Sequence, residues 1–169
     1  MLWSFVDDHR PAVSAFAATL AAGKTGRTFR QGDARNGDEW PPARAALRAD
    51  DEIALAEVAE GRVVFTGRPA FSFLNPMGTV HGGWIATILD SAMACAVHST
   101  LSAGQIYTTT AMTINYVRPL FADSGAVRCE ATAIYSGARM ATSEGRLLDS
   151  RGRLIAHGTE GCMILDNRT

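Results

Sequence analysis

Within residues 75–90, Asn-Pro-Met-Gly-Thr-Val-His-Gly-Gly-Trp-Ile-Ala-Thr-Ile-Leu-Asp, a glycine pair and a carboxylate stand eight positions apart. If a helix begins at Gly82 or Gly83, its first N–H groups have no intrahelical acceptor and carry the positive end of the macrodipole. Glycine puts no Cβ in front of them, so such a terminus suits a carbonyl oxygen or a developing oxyanion. Asp90 lies about 12 Å further along the axis at roughly 1.5 Å per residue. No single carbonyl group touches both points within one chain. Two antiparallel copies of the helix about a two-fold axis bring Gly82 of one protomer near Asp90 of the other, which predicts a composite site, present twice, at a dimer interface. Plainer readings stand beside each residue: Asp90 satisfied by Thr87, Ser91 or backbone, His81 as a cap, Asn75-Pro76 as a turn, Gly82-Gly83 as a tight-turn pair.

The elements that must hold these residues are legible in outline. Between Gly82 and Ser99 the one residue certain to be charged at neutral pH is Asp90. A run of this kind, to about residue 101, predicts a buried helix with no polar face, and a buried carboxylate is uncommon without a reason. Residues 61–69 read as a strand closed by Pro69, and 105–117 as a long alternating strand stopped at Arg118-Pro119. Strands follow at 126–135, 140–148 and 154–165, the last two joined by the hairpin signal Asp149-Ser150-Arg151-Gly152. One apolar helix among antiparallel strands calls for an α+β arrangement with the sheet curled round the helix. Its long strands leave an edge that pairing of two protomers would cover. Ahead of this, helical spacing marks 11–22 and 42–49, a polar loop lies between them, and 50–60 is ambiguous between helix and strand. The division expected is an N-terminal extension over 1–55 and a main domain over 56–169.

Composition narrows the class. The chain has 169 residues, 47% hydrophobic and 20% charged, with a formal net charge of −1, an ordinary globular balance with no broad basic surface for nucleic acid or acidic membranes. Cys95, Cys129 and Cys162 are spaced unlike zinc ligands and read as reduced core residues. The N-terminus lacks the basic start of a secretory signal, and no stretch has the length of a transmembrane helix, so the expected place is the cytoplasm.

Asn75-Pro76-Met77-Gly78-Thr79-Val80-His81-Gly82-Gly83, then Leu89-Asp90-Ser91-Ala92 and Asn115-Tyr116-Val117-Arg118-Pro119, resemble the hotdog-fold acyl-CoA thioesterases of the phenylacetate-pathway type, within the 4-hydroxybenzoyl-CoA thioesterase superfamily. The likeness runs from about residue 57 to 165, including the glycine–Arg139 turn and the closing strand, and leaves 1–50 uncovered. It implies a hotdog fold and hydrolysis of an acyl-CoA to free acid and coenzyme A. By the resemblance, Asp90 matches the catalytic carboxylate, as general base for water or as nucleophile. Gly82 supplies the N–H that polarises the thioester carbonyl, His81 shapes the loop, and Asn75 orients the water or the carbonyl. Thr109 falls where a Ser or Thr helps hold Asp90 and the water, with Thr108 and Thr110 one step either side.

For coenzyme A the resemblance points to strand ends and turns, here Arg118, Ser136, Gly137 and Arg139, a guanidinium being suited to phosphate. Each arginine taken singly also fits a solvated surface residue. Gly83, Trp84, Ile88 and residues 74–77 are expected around the acyl group. The implied partners are an acyl-CoA substrate and a second copy of the chain, assembled as a homodimer or a dimer of dimers. No metal or cofactor is expected beyond the coenzyme A of the substrate itself. Two rivals fit the same elements: a hotdog hydratase or dehydratase, which needs a histidine base, and a non-catalytic acyl-CoA-binding protein.

Overall fold

A computed structural model describes residues 53–166. The helices expected over 11–22 and 42–49 lie outside them. Strand β1 (Ile53–Ala59) occupies the stretch whose pattern is ambiguous, so the last residues of the expected extension run in the sheet. It is followed by β2 (Arg62–Gly67), a 3-10 turn at Phe71–Phe73, helix α1 (Gly82–His98), β3 (Gln105–Tyr116), β4 (Val127–Ser136), β5 (Met140–Leu148) and β6 (Leu154–Asp166). All six strands form one antiparallel sheet in the order β1-β2-β4-β5-β6-β3.

The expected strands are present to within a residue or two, and β5 and β6 pair as a hairpin. Asp149 fixes that hairpin: its carboxylate accepts from the Arg151 and Arg153 N–H groups, both at 2.9 Å, and from Arg153 Nε at 2.7 Å. Gly152 takes the left-handed conformation the turn requires, φ 74°.

Alternation aims one face of the sheet at the helix. On β4 the inward row is Val127, Cys129 and Ala131; on β5 it is Ala141, Ser143, Gly145 and Leu147; on β6 it is Ala156, Gly158, Glu160, Cys162 and Ile164, all buried. Helix α1 answers with Trp84, Ile85, Ile88, Leu89, Ala92, Met93, Ala96 and Val97. The helix comes so close at one point that a Cβ on Gly145 would stand 2.8 Å from Met93 Cγ and force a neighbour to shift.

Helix α1 differs from the sequence expectation in one respect: it has a polar seam. Gly83 and Thr87 are exposed, and Ala86, Asp90, Ser91, Cys95 and His98 are half-buried, at the i, i+4, i+7, i+8 spacing of one helix face. The seam reads as apolar in sequence because its members are small and mostly uncharged. It runs beside β3, the sheet edge, along which residues 108–113 are all exposed.

Candidate active site at the helix mouth

The loop before α1 is built by Asn75. Its Oδ1 accepts from the Met77 and Thr79 N–H groups at 3.0 and 3.2 Å, and its Nδ2 donates to Thr79 Oγ1 at 2.8 Å. Every polar atom of that side chain is thus spent on the turn around Gly78, where φ is 80°. Within this protomer Asn75 shapes the loop and does not reach Asp90.

His81 is the helix N-cap. Its Nδ1 accepts the Gly83 N–H at 2.8 Å, while its carbonyl accepts from Trp84 N at 3.0 Å and Ile85 N at 3.5 Å. Of the first four amides of the helix, three are therefore engaged, and the Gly82 N–H is the one left for a ligand. Tyr116, at the end of β3, holds the same residue from the other side, donating its hydroxyl to the Gly82 carbonyl at 3.1 Å.

Two clefts flank this mouth. One, of about 390 Å³, lies among Phe73, Leu74, His81, Gly83, Trp84 and Thr87. The other, of about 300 Å³, lies among Gly82, Ile85, Tyr116, Val117, Arg118 and Leu120. Trp84 borders the first cleft but is 6% exposed, stacked obliquely on Phe73 at 5.9 Å, and its Nε1 has no hydrogen-bond partner. Ile88 is fully buried in the core and borders neither cleft, whereas Met77 is exposed.

Asp90 is half-buried on the seam and makes no hydrogen bond or ion pair among the described residues. The hydroxyls nearest in sequence are committed elsewhere: Thr87 Oγ1 donates to the Gly83 carbonyl at 2.9 Å and Ser91 Oγ to the Thr87 carbonyl at 2.7 Å. Burial pushes the Asp90 carboxyl above its usual range. A carboxylate in this position keeps both oxygens available.

Thr109 donates to a carboxylate, but not to Asp90: its Oγ1 lies 2.6 Å from Glu160 Oε1. Its neighbour Thr110 sits at a bulge and donates to the Gly161 carbonyl. Glu160, absent from the candidates read in the sequence, is 2% exposed on the inward face of β6. Parity could have found it, because Ala156, Gly158, Cys162 and Ile164 mark its side of the strand as internal.

The residues expected to hold coenzyme A fall into two groups. Arg118 borders the cleft at the helix mouth, with Nη1 donating to the Leu154 carbonyl at 2.7 Å. Ser136, Gly137 and Arg139 lie at the β4–β5 turn, against the opposite end of α1, where Thr100 Oγ1 donates to Ser136 Oγ at 2.8 Å. Over the 17 residues of the helix that is about 24 Å away. One protomer does not bring the two groups together.

The three cysteines are free. Burial pushes the thiols of Cys95 and Cys129 up to about 12, which fits inert core residues. Among the described residues no helix is long and apolar enough to cross a membrane.

Comparison with known proteins agrees with this fold. No curated protein sequence matches the chain. The chain is similar to a Ralstonia eutropha JMP134 structure described as a putative thioesterase, phenylacetic acid degradation-related protein, at 27% identity and TM-score 0.66, covering 88% of this chain and 98% of that one. It is similar in fold to a hypothetical thioesterase from Streptococcus pneumoniae TIGR4 solved with coenzyme A, at 22% identity and TM-score 0.65, covering 75% and 94%. The E. coli PaaI protein of the phenylacetic acid degradation operon is likewise similar in fold, at 23% identity and TM-score 0.63, covering 69% and 81%. The family profile of the thioesterase superfamily matches residues 77–156, from the loop before the capped helix to the closing strand. That match spans a little under half of the chain, and the chain shares the hotdog fold of these thioesterase structures.

Proposed function

We propose that this chain hydrolyses an acyl-CoA thioester to a carboxylic acid and coenzyme A, at a site shared by two protomers. The carrying observation is the separation on one helix of a free amide, Gly82 N–H, and an unpartnered carboxyl group, Asp90, about 12 Å apart. Each is prepared for chemistry, and each lacks the other. A second protomer with its helix antiparallel supplies the missing half twice over. The exposed β3 edge and the adjoining polar seam are the surfaces on which such a partner would lie.

In this reading the thioester carbonyl oxygen accepts from Gly82 N–H, at the positive end of the helix, where the charge of the tetrahedral intermediate is stabilised as it develops. Asp90 of the opposing protomer takes a proton from water, whose oxygen adds to the acyl carbon. Collapse of the intermediate breaks the C–S bond, and the proton passes to the departing thiolate. Direct attack by Asp90 gives an anhydride that water then opens, with the same products. Oxidation states do not change, so the reading calls for no redox cofactor. Arg118 from one protomer and Ser136, Gly137 and Arg139 from the other would then flank a coenzyme A bound along the interface. The superfamily match and the neighbour that holds coenzyme A support the substrate class.

Subunit complementation tests the composite site. Gly82→Pro removes the N–H at a position where proline is tolerated as the first helical residue, and His81 already has the extended backbone that precedes proline, φ −59° and ψ 135°. Asp90→Asn removes the carboxylate. Each variant alone is expected to release little thiol from a panel of acyl-CoAs. Unfolding and refolding the two together should restore about a quarter of wild-type activity, since half the dimers are mixed and each has one intact site. No recovery in verified mixed dimers would refute a site built across the interface, and binding of acyl-CoA by wild type without thiol release would refute hydrolysis.

A further inference from the structure

Below the seam of α1 lies a second carboxyl group that the hydrolytic reading does not use. Glu160 sits mid-way along β6, on the face turned to the helix, and is 2% exposed. Its Oε1 accepts from Thr109 Oγ1 at 2.6 Å and from Cys162 Sγ at 3.3 Å. Its Oε2 is buried with no partner, and so is the hydroxyl of Ser143, the residue directly across from it on β5. Among the described residues no cation pairs with it. The groups that face it are Asp90 and Cys95 from the helix, Tyr107 and Thr109 from β3, Ser143 from β5 and Cys162 from its own strand. His98, the nearest imidazole on the helix seam, lies edge-on against Tyr107 at 5.4 Å.

We propose that Glu160 is a positioning residue of this site, a buried carboxylic acid that keeps its proton while Asp90 ionises, so that the space between helix and sheet carries one negative charge rather than two. Two neighbouring carboxyl groups in a desolvated space do not both ionise readily. Asp90, half-exposed on the seam, is the one that water can reach, and Glu160 is the one it cannot. Burial first, and the nearby Asp90 charge in addition, hold the Glu160 proton on. In the neutral form Oε1 keeps its role as acceptor from Thr109 and Cys162, while Oε2 carries the proton. A second anion here would make the potential at Asp90 more negative and oppose the negative charge that must grow on the carbonyl oxygen. In assigning Glu160 a role in turnover, the proposal rests on the hydrolytic reading above.

Direct titration separates the two. In the full-length protein labelled at glutamate side-chain carboxyls, the Glu160 resonance, assigned through its backbone connectivities, should titrate above the usual glutamate value of about 4.3 and move to lower pH in Asp90→Asn, where the neighbouring charge is gone. The rate of acyl-CoA hydrolysis by wild type should fall as pH rises through the Glu160 titration, and Glu160→Gln, which cannot ionise, should lose that falling limb. A glutamate with only a packing role would lower turnover by one factor at every pH, leaving the profiles parallel. Parallel profiles, or a Glu160 resonance in the ordinary range or indifferent to Asp90→Asn, would overturn the proposal. If the two carboxyls titrate as a coupled pair yet no acyl-CoA is hydrolysed, the pair stands and the hydrolytic reading falls.

Discussion

Replacing His81 separates a capping role from a chemical one, because the two losses differ in size by orders of magnitude. The imidazole contributes one acceptor, Nδ1, to the Gly83 N–H at 2.8 Å, and is otherwise exposed. Removing an N-cap costs about 1 kcal/mol, so His81→Ala should lower the melting temperature by roughly 3–5 °C for a unit of this size. If the first turn must be formed for the Gly82 amide to act, the same free energy lowers kcat/KM by about fivefold at most. Asparagine is an equally good N-cap, so His81→Asn should recover both quantities. Loss of a general base, by contrast, costs about 10²- to 10⁴-fold. Thermal melts by circular dichroism and thiol release measured side by side on the three proteins decide the matter. A drop beyond a hundredfold in His81→Asn, with the melting temperature restored, would refute the capping account and point to the histidine chemistry of a hydratase.

Other expectations follow from single contacts. Asp90→Asn should cut turnover by about 10²- to 10⁴-fold yet raise stability at neutral pH. A carboxyl whose pKa is raised on folding gives stability that is present below its unfolded pKa and lost as pH rises through the folded one, so the advantage of the variant should grow from acid toward neutral pH in urea titrations. Asp149 has the opposite sign. The Arg153 N–H, assisted by the Arg153 guanidinium and the Arg151 N–H, lowers its pKa, so its contribution is present above the unfolded carboxylate pKa and lost as pH falls through the folded one. The stability gap between wild type and Asp149→Ala should therefore close in acid. Gly145→Ala would set a methyl group 2.8 Å from Met93 Cγ under the helix; equilibrium unfolding should show a loss of about 1–3 kcal/mol from overpacking.

Much of this architecture was legible in the chain because its signals are local. The glycine pair, the proline after β3 and the Asp149-Ser150-Arg151-Gly152 turn each act within a few residues, and the elements they bound are where they were expected. Strand β1 was ambiguous for a physical reason. A bulge between Leu55 and Glu57 shifts its register against β2, so the alternation that identifies a strand changes phase halfway along. The order of strands was not legible either, since placing β3 beside β6 joins segments about fifty residues apart and nothing local specifies that pairing. At the site, the eight-residue spacing from Gly82 to Asp90 carried its own geometry, because a helix has a fixed rise. The division of labour among the amides did not. That His81 engages Gly83 and leaves Gly82 open depends on one side-chain rotamer. Glu160 shows the limit most clearly: its burial depends on which face of β6 meets the helix, and its link to Thr109 spans 51 residues.

The composition of β3 bears on what this edge of the sheet accepts. Its twelve residues, Gln-Ile-Tyr-Thr-Thr-Thr-Ala-Met-Thr-Ile-Asn-Tyr, include no charge and no proline, two of the devices by which edge strands repel strangers, and only the bulge between Thr109 and Ala111 interrupts the edge. Its outer backbone row accepts any extended segment that arrives, whether from a sister protomer or from an unfolded neighbour. In the proposed dimer, partner capture and misassembly would be rival reactions of one surface, their balance set by chain concentration and by the time spent alone. Slow release from the ribosome, dilution during refolding and co-expression with a titrating excess of native protomer all become levers on yield. In the proposed dimer, the strand that receives the partner is also, among the described residues, a sheet edge left unpaired without it.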